Sequence, residues 1–219
     1  MKLLAIDTAG RMLSIAAANE DDVFFTQTDT QMKHSEQVMY LIDSQIKAAG
    51  FCPKELNGIL CMGGPGSFTG LRIGYSIAKG LALSLSIPFA AVPTLECAAW
   101  QCSGLTLAVI EARKNAYFYA FFQDGQRLTE DKDAGIAQIA AEIEHYDKKI
   151  LLTGYGSENL YENLSRKQKD NVSFNHENKC YAKELISIAK SKNILNSDCT
   201  AFLNSGPEYL RLSHAELSL

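Results

Sequence analysis

Four histidines, one tryptophan and no C-x-x-C pair leave this 219-residue chain with little of the usual apparatus for holding a metal ion. Its six cysteines stand singly at positions 52, 61, 97, 102, 180 and 199. That scatter excludes both a structural zinc cluster and a secreted disulfide framework as expectations. Cys61 is expected in a strand and Cys97 in an apolar helix, each as a small core residue. Positive charge is not in excess either: 21 basic against 25 acidic residues give a net charge of −4. A chain of that balance has no general affinity for nucleic acid or an anionic membrane, so any tRNA in its function must be gripped chiefly by something else. No uncharged run reaches the length of a bilayer; Leu81 to Val92 is short and broken by Pro88. Leu3 to Ile6, closed by Asp7, predicts a strand rather than a signal peptide, and the expected location is the cytoplasm. Serine-nucleophile context is missing as well: Ser67 lies outside any G-x-S-x-G, and no His-Asp pair is placed for it.

What is present is a folded, soluble composition, 47% hydrophobic and 21% charged, organised around one stretch. Gly63-Gly64-Pro65-Gly66-Ser67-Phe68-Thr69-Gly70-Leu71-Arg72-Ile73-Gly74 follows a short apolar run, Gly58 to Met62, and opens a helical pattern that lasts to about Ser86. A glycine turn between a strand and a helix gathers backbone N–H groups at a positive helix end, a candidate anion site. It is not a Walker loop, because no Lys-Ser/Thr follows its last glycine. Nor is it the dinucleotide fingerprint, since Gly64, Gly66 and Gly70 are spaced G-x-G-x-x-x-G. Ser67 can cap the helix. Gly70, Gly74, Ala78 and Ala82 stand four apart, so one stripe of the helix is nearly bare of side chains. A glycine inside a helix costs roughly 1 kcal/mol against alanine, so two of them indicate a close approach by another backbone. That backbone is either the chain's own or a partner's.

Along the chain, Leu3–Ile6, Met12–Ala18 and Val23–Thr28 predict an antiparallel meander with Asp7 at the end of its first strand. Residues 34–49 predict an amphipathic helix stopped by Gly50. After the glycine turn and long helix come a strand at Phe89–Val92 and a helix at Thr94–Gln101. A second meander then begins, Leu105–Glu111 and Ala116–Gln123, with Glu111 standing where Asp7 stood. The repeat, about half the chain later, predicts two lobes on one plan. The remainder alternates: helix from Ile136 to Tyr146, strand Lys149–Thr153, the turn Gly154-Tyr155-Gly156, helix Ser157–Lys167, a loop from Arg166 to Asn171, strand Val172–Asn175 and helix Ala182–Lys192. His145, His176 and His214 sit in polar surroundings and are expected at the surface.

The repeated meander resembles the actin/Hsp70/sugar-kinase superfamily. More narrowly, the chain is similar to the TsaB (also called YeaZ) family, bacterial partner subunits for making threonylcarbamoyladenosine in tRNA. The matching pieces are Leu4-Ala5-Ile6-Asp7-Thr8, His34-Ser35-Glu36, Gly64 through Gly74, and Pro207-Glu208-Tyr209-Leu210-Arg211, spread over nearly the whole sequence. The resemblance implies an α/β fold of two actin-like (ribonuclease H-like) lobes, each a mixed sheet flanked by helices, at 1–103 and 104–219. It implies a scaffold, not a catalyst. The related catalytic subunit, TsaD, carries a metal-binding H-x-x-x-H in its first long helix; here His34 is followed at that spacing by Val38. No catalytic residue, metal ligand or cofactor is therefore expected.

The same resemblance gives the helices at 34–49 and 68–86 a use, since family members dock TsaD over this surface and pair with themselves there when isolated. It implies a partner-binding set of His34, Glu36, Val38 and Leu41 on the first helix and Gly70, Ile73, Gly74, Ile77, Ala78 and Leu81 on the second. A small TsaE-like ATPase is the other implied partner, with tRNA met only through the complex and no membrane contact. Asp7, Gly64, Gly66, Ser67, Gly154 and Gly156 remain as candidate nucleotide or anion turns. In the alternative reading they serve an independent ATP-dependent phosphotransferase of the same superfamily. Glu111 and Arg113 depart from the family's usual Asp-Ala-Arg by one longer acid.

Overall fold

The apolar runs near the start of each predicted lobe, Leu3–Ile6 and Leu107–Ile110, belong to buried strands. The computed structural model describes residues 1–30, 33–174, 180–195 and 205–210; His176, Cys199, Arg211 and His214 lie outside them. In chain order it forms β1 (Lys2–Asp7), β2 (Met12–Asn19), β3 (Asp22–Asp29), α1 (His34–Ala48), β4 (Gly58–Gly64), α2 (Phe68–Leu85), β5 (Phe89–Pro93) and α3 (Thr94–Ala99). There follow β6 (Leu105–Arg113), β7 (Ala116–Gln123), β8 (Gln126–Arg127), β9 (Lys132–Gly135), α4 (Ile136–Ile143), β10 (Ile150–Tyr155), α5 (Ser157–Glu162), α6 (Arg166–Lys169), β11 (Val172–Phe174) and α7 (Tyr181–Lys192).

Two compact units result. The first holds Met1–Pro93 and, of the described residues further on, 180–195 and 205–208. Its five-stranded sheet runs β3-β2-β1-β4-β5. β1 pairs antiparallel with β2 and parallel with β4, and every residue of β4 is buried. Such a parallel inner strand needs cover on both faces, hence its continuous hydrophobicity. α1 and α2 fill one face: Val38, Ile42 and Ile46 from α1 and Tyr75, Ala78 and Ala82 from α2 join Leu4, Ile6, Ile15 and Ile59 in a single core. α7 packs on the same sheet, against β1, β2 and β4.

The second unit, from Thr94 onward, repeats the plan. In its six-stranded sheet, ordered β11-β10-β6-β7-β8 with β9 also pairing antiparallel with β7, β6 pairs antiparallel with β7 and parallel with β10. β6 thus plays the part of β1, β7 of β2, and β10 of β4. Leu107, Val109, Tyr119, Phe121, Ile139, Ile150 and Leu152 make its core. The units do not divide at 103: α3 packs on β6 and β10 and so belongs with the second sheet. α7 belongs with the first because Ala182 N–H donates to Ser14 Oγ, 3.1 Å away in β2. The helix predicted at 157–167 is two helices. Ser165 starts α6 with a capping box, its hydroxyl accepting from Gln168 N–H and the Gln168 side chain reaching back.

Candidate functional site

The glycine turn lies where the sequence placed it, and its partners are the chain's own backbone. The ends of β1 and β4 emerge side by side from the parallel pairing, and the segment after β1, Thr8-Ala9, runs directly under the start of α2. Ser67 N–H donates to Ala9 O at 2.7 Å, and Ser67 Oγ caps α2 by accepting from Gly70 N–H at 3.2 Å. Thr8 Oγ1 donates to Gly70 O at 2.6 Å. A Cβ on Gly66 would stand 2.7 Å from Ala9 O, one on Gly74 would stand 2.5 Å from Thr8 Oγ1, and one on Gly70 would overlap Thr8 O. The bare stripe is therefore the contact between α2 and the segment after β1. Ala78 and Ala82, further along it, are fully buried against the sheet.

This divides the predicted partner-binding set. Gly70, Gly74 and Ala78 face inward, and Val38 belongs to the core. His34 is 2% exposed. Its Nε2 donates to Gly10 O at 2.9 Å, because a carbonyl can only accept, and Nδ1 then accepts a hydrogen bond from the Thr30 hydroxyl at 2.5 Å. Both ring nitrogens are thus committed inside the unit. All five residues serve the packing of their own unit. Replacing His34 by leucine would strand the Thr30 hydroxyl and the Gly10 carbonyl, so thermal melts should show a loss of roughly 1–3 kcal/mol, with added Zn²⁺ leaving wild type unmoved.

Glu36, Leu41, Ile73, Ile77 and Leu81 remain accessible. Glu36 is exposed, and the four apolar residues are half-buried against the core edge. Phe68, Thr69, Arg72, Ile73, Ser76 and Ile77 line a shallow groove along the outer side of α2. There the Arg72 guanidinium lies 3.8 Å from the centre of the Phe68 ring, a stacked cation that keeps the ring's outer face polar. Met39 and Tyr40 on α1 and Leu83 on α2 are strongly exposed. Two neighbouring helices in one unit therefore each present large apolar groups outward. Met39, Tyr40 and Leu83 were not singled out from sequence, although Tyr40 and Leu83 stand on the helix sides away from the buried stripes.

The candidate anion residues are also engaged internally. Asp7 is fully buried, one carboxylate oxygen accepting from Ala9 N–H at 2.9 Å and the other from Ser14 Oγ at 3.2 Å. Gly64, at φ +106°, packs against the carbonyl of Glu208. In the second unit, Gly154 (φ +111°) lies on the Val109 carbonyl, and Gly156 (φ +88°) would bring a Cβ to 2.8 Å from that of Glu111. Both need a left-handed backbone that side chains resist, and both let β10 turn tightly over β6. Glu111 is exposed and accepts from Asn159 Nδ2 at 3.3 Å. Burial, then the Glu111 charge, pushes the Tyr117 hydroxyl up to about 12. Burial foremost, with Asp7 nearby, pushes the Cys61 thiol far above its ordinary range. Neither is poised as a proton donor or nucleophile near neutrality. Among the described residues no group of three His, Cys, Asp or Glu side chains is placed to hold a metal ion, and no helix is long and apolar enough to cross a membrane.

Known proteins resemble this chain in sequence and in fold. The profile of the family described as "TsaD: tRNA N6-adenosine threonylcarbamoyltransferase" matches residues 25–201. The tRNA threonylcarbamoyladenosine biosynthesis protein TsaB of Bacillus subtilis (strain 168) is 30% identical, over 99% of this chain and 96% of its own length. YeaZ from Pseudomonas aeruginosa superposes with a TM-score of 0.74 at 21% identity, covering 95% of this chain and 99% of the other. A protein with an actin-like ATPase fold from Bacteroides thetaiotaomicron superposes at 0.50 over 85% of this chain and 95% of its own, at 13% identity. The last two likenesses concern the fold.

Proposed function

The chain belongs to the TsaB family of tRNA threonylcarbamoyladenosine biosynthesis proteins, and from that premise we propose that it is the non-catalytic scaffold of the tRNA-modifying complex. It docks a TsaD-like catalytic subunit through the outward faces of α1 and α2 and holds that subunit in its productive conformation, a shift of population rather than a chemical step. The observation that carries this reading is the division of α2. Its glycine stripe is used up by the chain's own Thr8-Ala9 segment, while Ile73, Ile77 and Leu81 stay half-open beside an apolar groove. In isolation the same surface pairs with a second copy. A TsaE-like ATPase completes the assembly, and tRNA is reached through the complex, in keeping with a net charge of −4.

The independent phosphotransferase loses its main support, because the Asp7 carboxylate already accepts from Ala9 and Ser14 and the Gly64 turn is occupied by Glu208. Titration of the isolated full-length chain with Mg-ATP by calorimetry is expected to show no micromolar binding. A saturable micromolar isotherm would restore that alternative. The scaffold reading itself is tested by mixing the chain with the TsaD-like subunit of its source organism. A heterodimer on size exclusion supports it, and two separate peaks would count against it.

A further inference from the structure

The segment Ser205–Glu208 makes three contacts with one part of the first unit. Glu208 N–H donates to Gly63 O at 2.8 Å. The Glu208 carbonyl lies against Gly64, so closely that a Cβ there would overlap it. Lys79 Nζ donates to Ser205 O at 2.5 Å. These contacts reach α2 at two separated points, the turn that opens it and a residue in its second half. Pro207, with its fixed φ, lies between the two ends of the segment and limits the conformations the chain gives up on binding there. Every residue lining the outer groove, from Phe68 to Ile77, lies in sequence between the two anchor points, Gly63-Gly64 and Lys79.

We propose that residues 205–208 form a latch that fixes the outward face of α2, so that Lys79 and Glu208 are positioning residues for partner docking. The inference rests on the docking reading above and adds to it that the affinity of that face is set by a segment more than a hundred residues away in sequence. With the latch closed, the turn at Gly63-Gly64 and the body of α2 keep one position relative to β4, and the groove side chains meet a partner already ordered. Released, α2 pays its ordering at the moment of binding and docks more weakly.

The test uses the full-length chain and the TsaD-like subunit of the same organism. Glu208→Pro removes the N–H that Gly63 accepts from. Lys79→Met removes the ammonium at the surface while keeping the stem, and Lys79→Arg restores a donor. Hydrogen exchange is followed across residues 63–80 and across β1 and β2, and the dissociation constant for the TsaD-like subunit is measured by calorimetry. The expected result is faster exchange at 63–80 with β1 and β2 still protected, a roughly tenfold weaker dissociation constant in Glu208→Pro and in Lys79→Met, as loss of about one hydrogen bond implies, and recovery in Lys79→Arg. A purely structural role would not give affinity loss with the sheet's protection intact and recovery with arginine. Unchanged exchange at 63–80, or faster exchange with an unchanged dissociation constant, overturns the latch while leaving docking in place. Failure of the wild-type chain to bind the TsaD-like subunit at all overturns the docking reading and the latch with it.

Discussion

Ile77→Arg is expected to weaken association with a TsaD-like subunit at least a hundredfold, with the isolated chain still folded. Ile77 lies in the groove on α2, half-buried, packed on the edge of the core by one side and open on the other. An arginine there can lay its stem along the same edge and put its head in water, so the fold loses about 1 kcal/mol, a few degrees in the melting midpoint. In the complex, the same head would be buried in the groove next to the like charge of Arg72. A desolvated, unpaired charge at the centre of an interface commonly removes about 3 kcal/mol or more of binding, two powers of ten in affinity. Calorimetry with the TsaD-like subunit measures the loss, and circular dichroism melts show that the fold survives. An equal drop in both would place Ile77 in the core instead of the interface.

Gly70→Val is expected to act in the opposite way, lowering the stability of the free chain before any partner is met. The new Cβ would stand far inside contact distance of the Thr8 carbonyl oxygen, and the Thr8 hydroxyl that holds Gly70 O would be displaced. Backbone on one side and helix on the other leave little room to relax, so the cost is about 3 kcal/mol, a fall of roughly 10 °C in midpoint for a chain of this size. Gly80 gives the control. It lies on the same helix with nothing within 4 Å of its would-be Cβ, so Gly80→Ala should stabilise by roughly 0.5–1 kcal/mol through helix propensity alone. A Gly70→Val protein that melts like wild type would remove the physical basis for the inward stripe.

These two positions show where the sequence was legible and where it was not. The spacing of Gly70, Gly74, Ala78 and Ala82 correctly announced a close approach, but a period of four says only that residues share a stripe. Ile73, Ile77 and Leu81 lie three residues on, about 60° round the helix. Which stripe faces the sheet depends on where Thr8 arrives, a contact between residues some sixty positions apart that no local pattern encodes. For the same reason His34 and Val38 looked like a defective metal motif, although Gly10 and Thr30 claim the imidazole. The duplicated plan was legible because buried parallel strands leave uninterrupted apolar runs, as in Leu3–Ile6 and Leu107–Ile110. β8 and β9 were missed, since Gln126-Arg127 and Lys132–Gly135 are short, largely polar and without alternation. The break between α5 and α6 did carry a signal, the Ser165-x-x-Gln168 capping box, within a stretch taken for one continuous helix.

The scaffold account stands or falls on one reconstitution: threonylcarbamoylation of tRNA by the purified components of the source organism, with the chain present, absent, and carried as Ile77→Arg. The expected result is multiple turnover only with the wild-type chain, little with Ile77→Arg, and no transfer by the chain alone. Full turnover in its absence, or transfer by the chain without a TsaD-like subunit, would contradict a non-catalytic scaffold that works through α1 and α2.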